Sequence, residues 1–250
     1  MRIRVLVSLP LVWGIASAQS LPAMPLPEVE YASPDQSVWT TRTDAQGQPD
    51  NPLLAVAGQL FARAGMPWHA HAYPAARLFK RLADGSSQFS MLVNAPALKE
   101  CCLLSRRPIT IAEIRVYHFA GKPPIRTKED LVGKGVISVH GYSYGGLQQF
   151  FTDQRNRVAN SVALTHAAAF KMLARGRADY LVDYAGPASE VLAEEPLADL
   201  RSELLSRQEV FLVLSRAYPN AQRVMDRLEG IARTLDVDRL FKDSRRMPSP

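Results

Sequence analysis

The sequence predicts an α/β protein of two lobes with a ligand cleft between them, and three observations carry that prediction. Short β-branched or apolar runs alternate with amphipathic helical runs from residue 37 onward, the order expected of helices packed on a mainly parallel sheet. The alternation breaks at Gly121-Lys122-Pro123-Pro124 and then starts again. Near the end the chain returns with a strongly apolar strand and a long amphipathic helix.

The elements follow from local signals. Residues 19–35, with Pro22, Pro25, Pro27 and Pro34, show little periodicity and are expected to form an irregular N-terminal arm. A strand is predicted over Ser37–Thr41, followed by the turn-rich segment 44–51. Asn51-Pro52 has the form of an N-cap and first helical residue. Leu53, Val56, Ala57, Leu60, Phe61 and Ala64 then fall at helical spacing before Gly65. A strand over Trp68–Ala72 precedes a helix from Pro74 that stops at Gly85, and a third strand covers Gln88–Val93. In the second half, strands are predicted at Glu113–Ala120, Val136–His140, Ser161–Leu164 and Tyr180–Tyr184. Helices are predicted near Gly146–Asp153, His166–Arg175 and Pro187–Glu194. Val210–Leu214 and the helix Pro219–Leu235 complete the chain.

With 250 residues, 47% of them hydrophobic, the chain can bury a real core, and its 14 Gly and 2 Cys exclude a collagen or a disulfide-stapled miniprotein. Arg2 and Arg4, the apolar stretch Val5–Ile15 and Ala16-Ser17-Ala18 fit a cleavable export signal over residues 1–18. That stretch is about half the roughly 20 apolar residues a membrane span needs, so a periplasmic protein without membrane insertion is expected. The formal charge is +6. Without the leader's two arginines, 28 basic residues face 24 acidic ones and the excess falls to +4. The basic residues are scattered (Arg77, Lys80, Arg81, Arg201, Arg207) and are not interleaved with stacking aromatics, which argues against a nucleic-acid partner.

In open α/β sheets, ligands bind beyond the carboxyl ends of the strands, so the residues there are the candidates. Thr40, Thr41 and Arg42 set hydroxyls beside a guanidinium, suited to an anionic or polyol group; a solvated edge loop fits them equally. Tyr73 can wall a pocket or pack its helix. Asn94 can meet a ligand or cap a helix. Gly141-Tyr142-Ser143-Tyr144-Gly145-Gly146, between a strand and a helix, reads either as an anion cradle or as a tight turn. Asp183 can pair with a ligand ammonium or cap the following helix.

Signals for cofactor or metal chemistry are missing. The 141–146 loop has neither P-loop nor G-x-G-x-x-G spacing, and no G-x-S-x-G elbow occurs. His69-x-His71 lies on a strand, where one ring is expected to face solvent and the other to pack, and does not have helical metal-ligand spacing. Cys101-Cys102 are adjacent, and a bridge between them needs a strained ring; free thiols are the alternative.

Several segments resemble the extracellular solute-binding proteins of family 3, the amino-acid-receptor type of periplasmic binding protein. They are Tyr73-Pro74-Ala75-Ala76-Arg77-Leu78-Phe79-Lys80-Arg81-Leu82 with Gly85, Cys101–Pro108, Leu131–Val139 with Gly141–Tyr144, and Ala168–Leu173 through Gly176-Arg177-Ala178-Asp179 to Asp183. The resemblance spans residues 36–243. It implies the type II binding-protein fold, with the first lobe formed by 36–117 and 210–250, the second by 118–209, and crossings near 115–122 and 205–212. It also implies a small polar solute, an amino acid or related organic acid or amine, and an ABC-type permease or a sensor as partner. One departure stands out. Where the family commonly places an Arg for the ligand carboxylate, residues 94–101 read Asn-Ala-Pro-Ala-Leu-Lys-Glu-Cys, leaving Arg42 or Lys99 as replacements. The competing reading is an enzyme on the same fold, a dehydratase or glycan lyase, for which Asp183 is the one acid the expected cleft supplies.

Overall fold

A computed structural model describes residues 27–43, 47 and 50–246. Residues 1–18, read as an export signal, the start of the expected arm and part of the turn segment lie outside the described residues. The described strands form one curled sheet in the order β2-β1-β3-β9-β5-β8-β6-β7, with β4 (Cys102–Leu104) also pairing β9. On one side, β1 (Val29–Pro34) lies between β2 (Trp68–Tyr73) and β3 (Phe89–Val93), parallel to both. On the other, β6 (Gly135–Val139) lies between β7 (Ala159–Ala163) and β8 (Tyr180–Tyr184), again parallel. Two long antiparallel strands join these halves: β5 (Thr110–Phe119) and β9 (Leu200–Ser215). β9 pairs with β3 from Val210 to Leu214, and β5 pairs with β8 from Ile114 to Tyr117. Two lobes therefore share two long strands.

Each lobe is a sheet with a core on both faces. In the first, Val29, Tyr31, Phe89 and Met91 pack against α1 (Leu53–Ala64) and α6 (Ala221–Ala232), whereas Ala32, Leu92 and Val213 face α2 (Ala75–Asp84). In the second, Val136, Tyr180 and Val182 meet α3 (Leu147–Thr152); Ile137, Val139 and Leu181 meet α4 (His166–Ala174) and α5 (Ala185–Glu194). α7 (Val237–Arg246) returns to the first lobe, where Phe241 meets Trp39 edge-on at 5.2 Å.

Several elements differ from the sequence reading: β4 and α7 have no predicted counterpart, and three others change. Residues 29–34, expected in an irregular arm, form the central strand β1. It is buried on both faces, so it shows no polar alternation, and Pro34 stands at its end, where a missing N–H is tolerated. The strand expected at Ser37–Thr41 is absent: the chain bends there. β9 begins ten residues before the predicted Val210. Its first part is polar and is held to β5 by cross-strand pairs, His118 to Glu203 at 2.8 Å and Arg207 to Glu113 at 3.3 Å, of the kind that stabilise antiparallel ladders. The helix starting at Asn51-Pro52 forms as read, with the Asn51 Oδ1 accepting from the Leu53 N–H at 3.0 Å and Gly65 ending it in the left-handed region.

Candidate functional site

A cleft of ≈ 200 Å³ lies between the lobes. From the first lobe, Pro34 at the end of β1, residues 36–39 after it, Phe79 on α2 and Met91 on β3 line it. From the second come Gly141, Tyr142 and Ser143 after β6, with Tyr184 at the end of β8. The strand ends that the α/β rule singles out therefore converge.

Residues 36–41, between β1 and α1 of the first lobe, reach across to the second. The Gln36 amide donates to the His140 carbonyl at 3.5 Å, and the Tyr142 hydroxyl donates to the Ser37 carbonyl at 2.8 Å. Further along, one carboxylate oxygen of Glu190 on α5 accepts from the Thr40 hydroxyl at 2.8 Å, the Thr41 hydroxyl at 2.9 Å and the Thr41 N–H at 2.6 Å. The backbone approaches α5 so closely that a Cβ at Gly186 would collide with the Trp39 carbonyl. Glycine is required there by space.

Beneath the cleft runs a polar chain. Asp183 is fully buried; both its oxygens accept from His166 Nδ1, at 2.9 and 2.8 Å, and Oδ1 also accepts from the Tyr184 N–H at 2.8 Å. His166 Nε2 lies 3.2 Å from the Tyr142 hydroxyl. Burial raises the Asp183 pKa, and the hydrogen bond and charge of His166 only partly offset it. Burial, with the charge of Asp183 adding to it, pushes the hydroxyls of Tyr142 and Tyr184 well up, so both stay protonated donors at neutral pH.

Of the residues predicted for the site, Tyr142 and Ser143 line the cleft; the others have different surroundings. Thr40 and Thr41 hold Glu190. Arg42 pairs with Asp50 at 2.7 Å and donates to the Ser244 carbonyl at 3.3 Å, which ties it to α7. Tyr73 turns back along β2, donating to Glu30 at 3.2 Å under the guanidinium of Arg81. Asn94 is exposed beside Ile111 and Arg207, and Ala95, not Asn94, precedes the 3₁₀ turn Pro96–Leu98. Lys99 is exposed. Tyr144 is fully buried, its hydroxyl accepting from the Val139 N–H at 2.8 Å. The Gly141–Gly146 loop is the tight turn: Tyr144, Gly145 and Gly146 adopt positive φ, and the Ser143 carbonyl takes the N–H groups of Gly146 and Gln148. Asp183 faces inward.

Sequence reasoning missed Gln36, Trp39, Phe79 and Tyr184. Tyr184 had a usable signal, being the last residue of a strand that was correctly predicted. Trp39 did not, because its strand assignment was wrong. His69 and His71 are both exposed, since residues two apart on a strand share a face. Cys102 is buried in the core under α2 and Cys101 is half-buried, both as free cysteines. A larger groove, ≈ 890 Å³, lies between residues 105–109, α6 and α7 and shares no lining residue with the cleft. Its Arg106 is taken up by Glu229 and Asp226. Among the described residues no group of three or more His, Cys, Asp or Glu is placed to hold a metal, and no helix is long and apolar enough to cross a membrane.

No protein-family model matches the chain, and no curated protein matches it. Solved structures do. The ligand-binding core of GluR0 in complex with L-glutamate superposes with a TM-score of 0.64 at 14% identity, covering 89% of this chain and 98% of that one. A mutant of ArgBP from T. maritima gives 0.63 at 20%, covering 88% and 96%. A histidine kinase sensor domain with similarity to periplasmic binding proteins gives 0.62 at 18%, covering 87% and 93%. At these identities the likeness is one of fold: this chain has the two-lobed architecture of periplasmic-binding-protein-like domains.

Proposed function

We propose that the protein is a solute-binding protein that captures a small solute between its lobes and delivers that occupancy, as cargo or as a signal, to a membrane permease or sensor. The observation that carries this reading is the cleft itself, walled from both lobes by residues that follow sheet strands and already tied across by the Tyr142 to Ser37 hydrogen bond. A solute touching both walls binds the closed arrangement better than an open one, which is the differential affinity that ligand-driven closure needs. The lobes are assigned as 118–209 for the second and the remainder, now including β1, for the first. Val210, where β9 begins to pair with β3, supports that boundary. Location in the periplasm follows from the export signal read at residues 1–18.

Amino acids are the first class to screen, because two of the structural neighbours are named for L-glutamate and ArgBP. The enzyme reading relied on Asp183 as an acid in the cleft, and that carboxylate is enclosed and bonded. The test is a thermal-shift screen of amino acids, organic acids, amines and uncharged solutes, followed by small-angle scattering of any hit. A binder at 100 times its Kd stabilises by about 2.7 kcal/mol and should also reduce the radius of gyration. Failure of every class to raise the melting midpoint would sink the proposal.

A further inference from the structure

Among the described residues that line the cleft, none carries a charged side chain. Three of the charges nearby are already engaged within the protein, and Asp35, between the lining residues Pro34 and Gln36, is half-buried without lining the cleft. Asp183 is bonded to His166 and the Tyr184 N–H, Glu190 to Thr40 and Thr41, and Arg42 to Asp50. A zwitterion or a carboxylate closed into this space would leave water without meeting an opposite charge, and an unpaired ion is strongly disfavoured in a buried site.

The walls have a different character. Trp39, Phe79, Tyr142 and Tyr184 supply ring surface, with Met91 and Val210 between them. Much of the polar lining is spent as well: Asn51 accepts from the Leu53 N–H, and the Tyr142 hydroxyl is directed at the Ser37 carbonyl. Ser143, whose hydroxyl caps no helix, and the amide oxygen of Gln36, whose nitrogen is directed at the His140 carbonyl, remain able to serve a ligand. Size sets the second limit. Drug-sized ligands occupy about 300–1,000 Å³, whereas an apolar cavity of about 150 Å³ accepts a benzene ring. The cleft, at ≈ 200 Å³, has room for one ring and a short substituent.

We infer that this cleft takes an uncharged, single-ring aromatic solute, held by its ring faces between the lobes and by one or two hydrogen bonds to its polar substituent. Aromatic pairs favour offset or edge-on stacking, and four aromatic side chains around one small space offer several such contacts. The inference rests on the solute-binding reading and narrows it.

The test uses compounds that share one ring and differ in charge: phenylacetamide, benzyl alcohol and phenol as neutral probes, phenylacetate as anion, phenethylamine as cation and L-phenylalanine as zwitterion. Calorimetric titration of the full-length chain should show at least one neutral probe binding at least tenfold more tightly than every charged one. A charged probe binding as tightly as the best neutral one overturns the neutral class and leaves the solute-binding reading standing. No binding by any of these, with no hit in the wider screen, overturns both. Ser143→Asp, at an exposed position outside the cores, provides a second arm. It should move the preference at least tenfold toward phenethylamine relative to phenylacetamide, and an unchanged ratio would place binding outside the cleft and overturn the inference.

Discussion

Glu30 on β1 and Asp183 on β8 both sit on inner strands, each with tyrosine and a basic side chain around it, one in each lobe. Glu30 is the second residue of its strand, on the end away from the cleft, and keeps 14% of its side-chain surface exposed. Ser87, Arg81 (3.1 and 3.3 Å) and Tyr73 (3.2 Å) all donate to it. Burial pushes its pKa up, but the hydrogen bonds from Ser87 and Arg81 and the charge of Arg81 together outweigh that and hold it below the usual carboxylate range. Asp183 is next to last in its strand, at the cleft end, and has no exposure at all. It receives fewer charged or hydroxyl donors, and burial prevails. The contrast shows that an acid's position along the strand decides its use: at the amino end it fastens β1 to α2, and at the carboxyl end it fixes a histidine and, through it, the tyrosine that reaches the other lobe.

The comparison breaks or holds first on stability. Asp183→Ala leaves His166 and the Tyr184 N–H buried without their acceptor, and removing one partner of a buried pair costs about 3–5 kcal/mol. Glu30→Ala leaves Arg81 with Ser86 and partial access to water, so about 1–3 kcal/mol is expected. Urea unfolding of both variants reads the difference directly. Equal losses would mean that burial is not what separates the two acids.

Acid titration is the next largest effect, and the two groups act with opposite sign. Because the folded-state pKa of Glu30 is lowered, its contribution is present above the unfolded value of about 4.3 and is lost as pH falls through the folded one. For Asp183 the folded pKa is raised, so its contribution is full below the unfolded value of about 3.9 and is lost as pH rises through the folded one. Relative to Glu30→Gln, the wild type should therefore gain urea midpoint as pH rises from 3 to 5. Relative to Asp183→Asn, it should lose midpoint as pH rises from 4. Parallel curves for the two variants would refute the opposed assignment.

Which parts were legible follows from how far apart in sequence the partners lie. α1, α2 and α4 show their periodicity, caps and stops locally, and β8 is a short apolar run, so all four are read from adjacent residues. β1 is hidden by surrounding prolines, and the first half of β9 by polar side chains whose partners sit on β5. The site shows the same division. Tyr142 and Ser143 follow a predicted strand directly. Thr40, however, meets Glu190 150 positions later, and Asp183 meets His166 from another element. Hydroxyls and carboxylates that look available in a sequence are consumed by partners that only the fold brings near, which is why Thr40, Thr41, Arg42 and Asp183 are not among the described residues that line the cleft.

Smaller effects sharpen the role of the two cross-lobe contacts. Tyr142→Phe removes the hydrogen bond to the Ser37 carbonyl and the contact with His166 while keeping the ring, at a cost of about 0.5–1.5 kcal/mol; its scattering profile should shift toward an open form. Glu190→Gln keeps one acceptor oxygen for the threonine donors but loses the charge that strengthens those bonds. At a half-buried position this should cost under about 1 kcal/mol. If the two contacts close the same gap, the double variant should open the lobes more than the two single shifts added together, because either contact alone still holds residues 37–41 against the second lobe. Additive shifts in the radius of gyration would instead mean that the buried and the outer contact act independently, and that the segment 36–41 is two separate attachments.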